Sequence, residues 1–186
     1  FAVVTVGPGG GYDFITIQDA IDHITENSTD IEILKNKAKN NKRKTIRLCC
    51  HRDSNDLVHD MIIVHLNSAY VRPHKRAFLI KEGTSLSYHF IEGIADLVFF
   101  DEHGTLVEVI KMMDCSSGGT FFFHIDEPLY YSPIVRSECI VFHEVTNGPF
   151  KALDTVYAAW APLWTDENLV KAYRKRLERK IQDYMK

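Results

Sequence analysis

The chain has 186 residues and a formal net charge of -3, with 45% hydrophobic and 25% charged residues, as is ordinary for a folded globular domain. This charge gives no general attraction to nucleic acid or to an anionic membrane, and no apolar run reaches the roughly 20 residues of a membrane helix. We therefore expect no nucleic acid partner and no membrane span. The cysteines have no Cys-x-x-Cys spacing, which favours free thiols and a cytoplasmic protein.

Residues 1–44 are predicted to form an N-terminal extension. Residues 1–6 are apolar and β-branched, as in a strand, and residues 16–25 repeat apolar side chains at helical spacing. A second helical pattern runs over residues 29–38, with Ile31 and Leu34 on its apolar side. The basic run that follows is typical of a solvated helix end and loop.

From residue 45 onward the pattern changes to short strands. The predicted strands are 45–50, 61–66, 85–91, 95–100, 106–112, 120–125 and 138–145. They recur every 10 to 20 residues or so, with turn-forming residues between them, which predicts an antiparallel sandwich or barrel. We expect a mainly β protein in which residues 45–164 form a jelly-roll barrel.

Residues 165–186 are predicted to form an amphipathic C-terminal helix, with Thr165 as its cap. Its apolar stripe consists of Leu169, Tyr173, Leu177, Ile181 and Tyr184. The other faces are basic. We expect the stripe to dock on the barrel or on a partner subunit, with the charges in water.

The stretch from Tyr70 to Arg76, Tyr-Val-Arg-Pro-His-Lys-Arg, is the most informative part of the chain. Pro73 fixes its own φ and biases the preceding residue toward an extended backbone. On an extended chain His74 and Arg76, two residues apart, leave from the same face. If that face is the inside of a barrel, an imidazole and a guanidinium point into one cavity.

This stretch resembles the first half-motif of the cupin barrels, and Tyr-Val-Arg-Pro-His is similar to the small WbuC-type cupins of surface-polysaccharide gene clusters. Three other stretches of the chain carry the narrower resemblance: 99–104, 144–150 and 158–162. The similarity covers roughly residues 30–186. It implies a cupin jelly roll with helices at both ends.

A metal-binding cupin holds its ion with two histidines, a glutamate and a third histidine. The resemblance places His74 at the first of these positions, Arg76 at the second, Leu86 at the glutamate and Tyr131 at the third histidine. A guanidinium does not ligate metal, so His74 is the one expected ligand that is retained. We predict no tightly bound cofactor, while a divalent metal held by altered ligands stays an alternative.

The substitutions suggest a cavity that binds a ligand. Arg76 is suited to a carboxylate or a phosphate, and Tyr70, Tyr88 and Tyr131 offer aromatic faces and hydroxyls for a sugar. His74 and Tyr131 are the candidates for moving a proton.

Three further residues complete the predicted site. Glu144 could accept from a ligand hydroxyl, or it could pair with Arg72 or Arg76. His51 is the expected histidine neighbour of His74, since period-two alternation from Leu86 turns His89 outward.

We hypothesise a protein that binds a sugar or nucleotide-sugar in surface-polysaccharide biosynthesis, with isomerase-like or epimerase-like activity if it is an enzyme. One alternative is a non-catalytic binding or dimerising module, and another is a metal-dependent cupin enzyme with altered ligands. A homodimer is expected. An open polar cavity around Arg76 would favour ligand binding, whereas a cavity plugged by Leu86, Tyr88 and Tyr131 would favour the module.

Overall fold

The computed structural model describes residues 2–5, 29–77, 85–149 and 151–186. The predicted helix at residues 16–25 lies outside the described residues. The predicted first strand is present as β1 (Ala2–Thr5), and the predicted second helix as α1 (Thr29–Asn40). None of the described helices is long and apolar enough to cross a membrane.

Two β-sheets face each other. The strands that follow β1 are β2 (Thr45–Cys49), β3 (Val58–Leu66), β4 (His74–Arg76), β5 (Leu86–Glu92), β6 (Ile94–Phe100), β7 (Leu106–Met113), β8 (Phe122–Ile125), β9 (Tyr130–Val135), β10 (Cys139–Asn147) and β11 (Thr155–Tyr157). The first sheet has the order β1-β2-β3-β10-β5-β8 and the second has the order β11-β4-β9-β6-β7. The predicted antiparallel jelly roll is confirmed.

One pair of strands departs from the antiparallel arrangement. β1 pairs with β2 in parallel, with Ala2 opposite Ile46 and Thr5 opposite Cys49. The N-terminal extension therefore contributes an edge strand to the first sheet, in addition to α1. The other described strand pairs are antiparallel.

The main core lies between the sheets and follows the period-two alternation of the strands. In β5, Leu86, Tyr88 and Phe90 are buried in this core while His89 is exposed, as the alternation predicts. In β3, Met61 and Ile63 face the same core, whereas Ile62 and Val64 face α1 on the outside. β3 is therefore covered on both faces in this part, which explains its apolar run from Met61 to Val64.

Each helix covers the outer face of one sheet. Leu34 and Ala38 of α1 pack on the first sheet, as the sequence predicts for Leu34. The C-terminal helix, α2 (Glu167–Tyr184), packs on the second sheet through Tyr173, Leu177 and Ile181.

Two details of the predicted C-terminal helix are corrected. Its N-cap is Asp166, whose carboxylate accepts from the Leu169 backbone N–H at 3.0 Å, and not Thr165. The ends of its predicted stripe, Leu169 and Tyr184, are exposed, because the sheet extends under only the middle turns of the helix.

Strand β9 was not predicted, although it lies in the middle of the second sheet. Pro133 breaks its β-like sequence, and proline normally argues against a central strand. The Arg136 N–H bonds to the Ile94 carbonyl of β6 at 2.7 Å, and alternation then turns the backbone of Pro133 away from β6. On the other side of β9, β4 pairs with it only at Tyr131. The N–H that Pro133 lacks would therefore have had no partner strand, and no hydrogen bond between strands is lost.

Candidate ligand-binding site

The short strand β4 places His74 and Arg76 in one cavity. β4 lies between β11 and β9, with His74 opposite Tyr157 and Arg76 opposite Thr155. Both side chains line an inner cavity of about 220 Å³. The other residues that line the inner cavity are Arg43, Thr45, Arg47, Ile63, His65, Ala69, Tyr70, Val71, Arg72, Tyr88, Pro133, Phe142, Glu144, Thr155 and Tyr157.

The charge of Arg76 is balanced within the chain. Its guanidinium is buried and donates to Glu144 Oε1 at 3.0 Å and to Thr155 Oγ1 at 2.7 Å. Burial by itself would lower the pKa of Arg76, but the neighbouring Tyr131 and Glu144 raise it above its ordinary value. Of the three roles left open for Glu144, the structure shows the ion pair with Arg76.

Two histidines in the inner cavity are held neutral. Burial, and then the charge of Arg76, lower the pKa of His74 to about 4, and burial with Arg47 lowers the pKa of His65 to about 3. His74 Nδ1 lies 3.0 Å from the Arg72 carbonyl oxygen. Since a carbonyl oxygen only accepts, Nδ1 carries the proton and Nε2 keeps its lone pair.

Positive charge dominates the lining of the inner cavity. Among the described residues, the lining includes four arginines, Arg43, Arg47, Arg72 and Arg76, and one carboxylate residue, Glu144. Because the cavity is partly enclosed by low-dielectric protein, this excess favours a ligand that carries negative charge.

The positions expected to hold a cupin metal do not form a metal site. Leu86 and Tyr131 are wholly buried in the apolar core between the sheets and do not line the inner cavity. The Tyr131 ring packs against His74, with 4.7 Å between the ring centroids. Within the described residues no three side chains of His, Cys, Asp or Glu are grouped to hold a metal. An apolar core and a guanidinium do not suit a divalent ion.

Tyr131, the other predicted proton-transfer residue, is wholly buried and is not among the residues that line the inner cavity. Burial raises the pKa of Tyr131, and the nearby Arg76 opposes that shift. Tyr88, by contrast, lines the inner cavity as predicted, and burial raises its pKa far above the usual value. Leu86 and Tyr131 thus fill the space between the sheets, and the polar inner cavity lies beside them.

Tyr70 and Arg72 line the inner cavity and also fasten the chain to a distant loop. The Tyr70 hydroxyl donates to the Pro162 carbonyl oxygen at 3.1 Å. Arg72 donates to the carbonyl oxygens of Ala161 at 3.1 Å and of Ala158 at 2.7 Å. Two of the stretches that carry the family resemblance, 70–76 and 158–162, therefore bind each other.

Residues 99–104, another stretch that carries the resemblance, also contact the stretch 158–162. Asp101 accepts from the backbone N–H groups of His103 and Thr105, which closes a tight turn. Gly104 in this turn has φ +79° and lies against the Trp160 ring. Much of the sequence similarity therefore reflects a structural cluster around Trp160, and not the cavity.

His51 lies apart from His74. Its ring stacks on His59, with 4.0 Å between the centroids, and it lines a separate side cavity of about 210 Å³. The expected proximity of His51 and His74 is therefore not found, because only the first part of β2, with Thr45 and Arg47, lines the inner cavity, and the chain continues from there to the side cavity. Arg47 and Arg76 line both cavities and lie between them.

Sequence reasoning missed Arg47 and His65 as cavity residues. A signal was present, because Arg47 lies between Ile46 and Leu48 in β2, both of which pack outward against α1. A cation that alternates with outward apolar residues must face inward. His65 in β3 follows the same rule with respect to Val64 and Leu66.

Comparisons with known proteins give a partial match to one family and remote similarities of structure. A domain of unknown function, DUF6016, matches residues 27–112. No curated protein sequence matches the chain.

Three solved structures illustrate the similarity. Protein SO0799 from Shewanella oneidensis has 10% identity and a TM-score of 0.47, over 60% of this chain and 72% of that chain. Oxalate decarboxylase from Bacillus subtilis has 16% identity and a TM-score of 0.42, over 55% of this chain and 24% of that chain. Procruciferin, an 11S globulin from Brassica napus, has 14% identity and a TM-score of 0.38, over 50% of this chain and 21% of that chain.

The present chain thus spans about a quarter of the length of the decarboxylase. These similarities concern the fold. Fold by itself assigns neither a ligand nor a reaction.

Proposed function

We propose that the inner cavity binds a small sugar bearing a carboxylate or a phosphate, as part of cytoplasmic surface-polysaccharide biosynthesis. The observation that carries this proposal is that the described residues lining the inner cavity include four arginines and one carboxylate. Glu144 already balances Arg76, whereas Arg72 is held by the uncharged carbonyl groups of Ala158 and Ala161, so its positive charge would attract the negative group of the ligand. The link to surface polysaccharide rests on the motifs shared with WbuC-type cupins.

The size of the inner cavity favours a single sugar over a complete nucleotide-sugar within it. Its volume of about 220 Å³ is below the roughly 300–1,000 Å³ of sites that enclose drug-sized ligands. A single sugar ring fits this space, and a complete nucleotide-sugar does not. The rings of Tyr88 and Tyr157 and the neutral His74 would contact the sugar, because aromatic faces and an imidazole acceptor suit its C–H groups and hydroxyls.

Binding is better supported than catalysis. A general base works best when its pKa is near the operating pH, and the pKa of His74 is lowered to about 4. His74 is therefore a weak base at neutral pH, although its Nε2 is a good hydrogen-bond acceptor. Together with the burial of Tyr131, this favours the non-catalytic binding module over an isomerase or epimerase.

Isothermal titration with glucuronic acid, glucose 1-phosphate and glucose tests the proposal. We expect the two anionic sugars to bind at least tenfold more tightly than glucose. In the variant His74→Asn the amide can still donate to the Arg72 carbonyl, but the Nε2 acceptor is lost. We expect it to weaken sugar binding without loss of fold. Equal affinity for all three sugars, or no binding of any, would overturn the proposal.

A second variant removes one cation from the inner cavity. Arg47→Gln should weaken the binding of glucuronic acid and glucose 1-phosphate more than that of glucose. The matched control, Arg179→Gln, removes an exposed cation of α2 that does not line the cavity, and it should change none of the three affinities. A thermal melt of each variant verifies that it is folded before the titration.

A further inference from the structure

A second, larger depression opens next to the inner cavity. This outer groove has a volume of about 570 Å³ and lies where the end of α1 approaches the first turns of α2. Its lining residues are Lys42, Arg43, Lys44, Ser68, Tyr70, Trp164, Glu167, Val170, Lys171 and Arg174. The volume is within the range of roughly 300–1,000 Å³ typical of small-molecule sites.

The described residues that line the outer groove make it strongly basic, with five cationic side chains and one carboxylate, Glu167. Two of the cations are held in place by backbone carbonyl groups. Arg174 Nη2 donates to the Asn67 carbonyl oxygen at 2.7 Å, and Lys44 Nζ donates to that of Lys39 at 2.7 Å. Neither contact neutralises the charge, so both groups remain available to attract anions.

An aromatic surface lies among these cations. The Trp164 side chain is partly exposed, and the Lys42 ammonium and Arg43 guanidinium lie 5.5 Å and 5.2 Å from its ring centroid. A flat ring beside several cations fits a ligand that joins an aromatic base to phosphates, because bases stack on indole rings and phosphates bind Lys and Arg.

The outer groove and the inner cavity share two residues. Arg43 and Tyr70 line both of them. Tyr70 is fixed between the two by its hydrogen bond to the Pro162 carbonyl oxygen, and burial raises its pKa to about 12, so its hydroxyl stays protonated. A ligand longer than the inner cavity can therefore continue past Tyr70 and Arg43 into the groove.

We propose that the outer groove binds a nucleoside diphosphate and that the two cavities form one site for a nucleotide-sugar, with the sugar ring inside. This inference rests on the proposed sugar site and extends it. A nucleotide-sugar is too large for the inner cavity alone, but here the inner cavity would hold only its sugar ring. The Arg43 guanidinium lies at the junction, where the diphosphate would be.

A nucleic acid strand is the less favoured occupant of the outer groove. The protein as a whole has a net charge of -3, and its groove cations surround a single indole. Non-specific binding of single strands uses a long basic groove with successive aromatic platforms.

The test is calorimetry with uridine diphosphate, UDP-glucuronic acid and glucuronic acid. We expect UDP-glucuronic acid to bind at least tenfold more tightly than either of its parts. The variant Lys42→Gln/Lys171→Gln removes two exposed charges from the groove. It should weaken UDP and UDP-glucuronic acid at least tenfold and leave glucuronic acid within twofold, and Trp164→Ala should act in the same direction.

The control Lys111→Gln/Arg179→Gln removes two exposed charges that do not line the groove, so it should leave all three affinities unchanged. Binding of glucuronic acid but not of UDP would overturn this inference and leave the proposed sugar site intact. Binding of UDP and of glucuronic acid with no added affinity for UDP-glucuronic acid would contradict the joining of the cavities, whereas binding of UDP without any binding of glucuronic acid would contradict the sugar site as well. A short oligonucleotide that binds more tightly than UDP-glucuronic acid would also contradict it.

Discussion

Arg76, which the sequence suggests as a ligand-binding residue, forms a buried ion pair with Glu144. Both side chains are almost fully buried, and the contact of 3.0 Å joins strands β4 and β10 across the two sheets. A buried ion pair adds little net stability compared with apolar side chains, yet removal of one partner leaves an uncompensated charge. The pair therefore determines the local structure of the cavity wall.

A double-mutant cycle tests this role. We expect Arg76→Met and Glu144→Leu each to lower the free energy of unfolding by about 3 kcal/mol, because each leaves one buried charge. Together they should cost at least about 1.5 kcal/mol less than the sum of the two changes. Urea denaturation measures the four proteins. As a control, the exposed pair of Asp183 and Lys186 should couple by less than about 1 kcal/mol; similar coupling in both cycles would contradict the role of burial.

The two neutral histidines predict how stability depends on pH. In the unfolded chain a histidine titrates near pH 6.5, whereas in the fold the pKa of His74 is about 4 and that of His65 about 3. Below pH 6.5 the unfolded state binds more protons, so the stabilisation is complete above that pH and declines as the pH falls toward 4. Each histidine should account for about 1 to 3 kcal/mol of this loss.

Thermal melts between pH 7 and pH 4.5 measure this effect. The variant His65→Asn/His74→Asn cannot titrate at these positions, so its stability should decline less over that interval than that of the wild type. Parallel curves for the two proteins would show that other groups cause the acid sensitivity.

At the scale of elements, the turn between β6 and β7 matters because it supports the Trp160 cluster. Trp160 contacts Phe100 and Tyr130 of the second sheet and Tyr173 of α2, with centroid distances of 5.2, 5.8 and 6.4 Å. It thereby joins a loop, a sheet and a helix. Gly104 closes this cluster from the side of the turn.

Two glycines of similar backbone conformation give a matched test of the turn. Gly104 has φ +79° and a Cβ there would lie 2.8 Å from the Trp160 ring, whereas Gly118 has φ +75° and open space around it. Gly118→Ala should cost about 1 kcal/mol from the left-handed conformation alone. Gly104→Ala should cost at least about 1 kcal/mol more, and tryptophan fluorescence should change. Equal losses of stability in the two variants would show that the Trp160 ring moves aside without a measurable cost.

At the scale of the whole molecule, the described residues pack in three apolar layers. One layer lies between the sheets, and α1 and α2 each cover an outer face. Leu86 and Tyr131, at two of the positions where the cupin resemblance predicts metal ligands, belong to the middle layer. We therefore expect apolar packing, and not a bound metal ion, to stabilise this part of the fold.

Chelation tests this description. We expect the purified protein to contain much less than one transition-metal ion per chain, and EDTA to shift its melting temperature by no more than about 1 °C, because a ligand stabilises only a state that binds it. Near-stoichiometric metal that is lost in His74→Asn, together with a lower melting temperature after EDTA, would contradict this expectation.

The sequence by itself determined the features that depend on neighbouring residues. The alternation in β5 predicted that Tyr88 faces inward and His89 outward, and the spacing of His74 and Arg76 predicted a shared cavity. These predictions succeed because an extended backbone turns successive side chains to opposite faces whatever lies around it. The same local logic could have identified Arg47 in β2.

Only the tertiary structure decided which partner each polar side chain has. Arg72 binds the Ala158 carbonyl, 86 residues away, and Arg76 binds Glu144, 68 residues away. Nothing local distinguishes these contacts from a contact with a ligand, because a guanidinium can donate to a carbonyl, a carboxylate or a phosphate. The joining of the outer groove to the inner cavity likewise depends on how α1, α2 and β4 pack together, which no short stretch of sequence specifies.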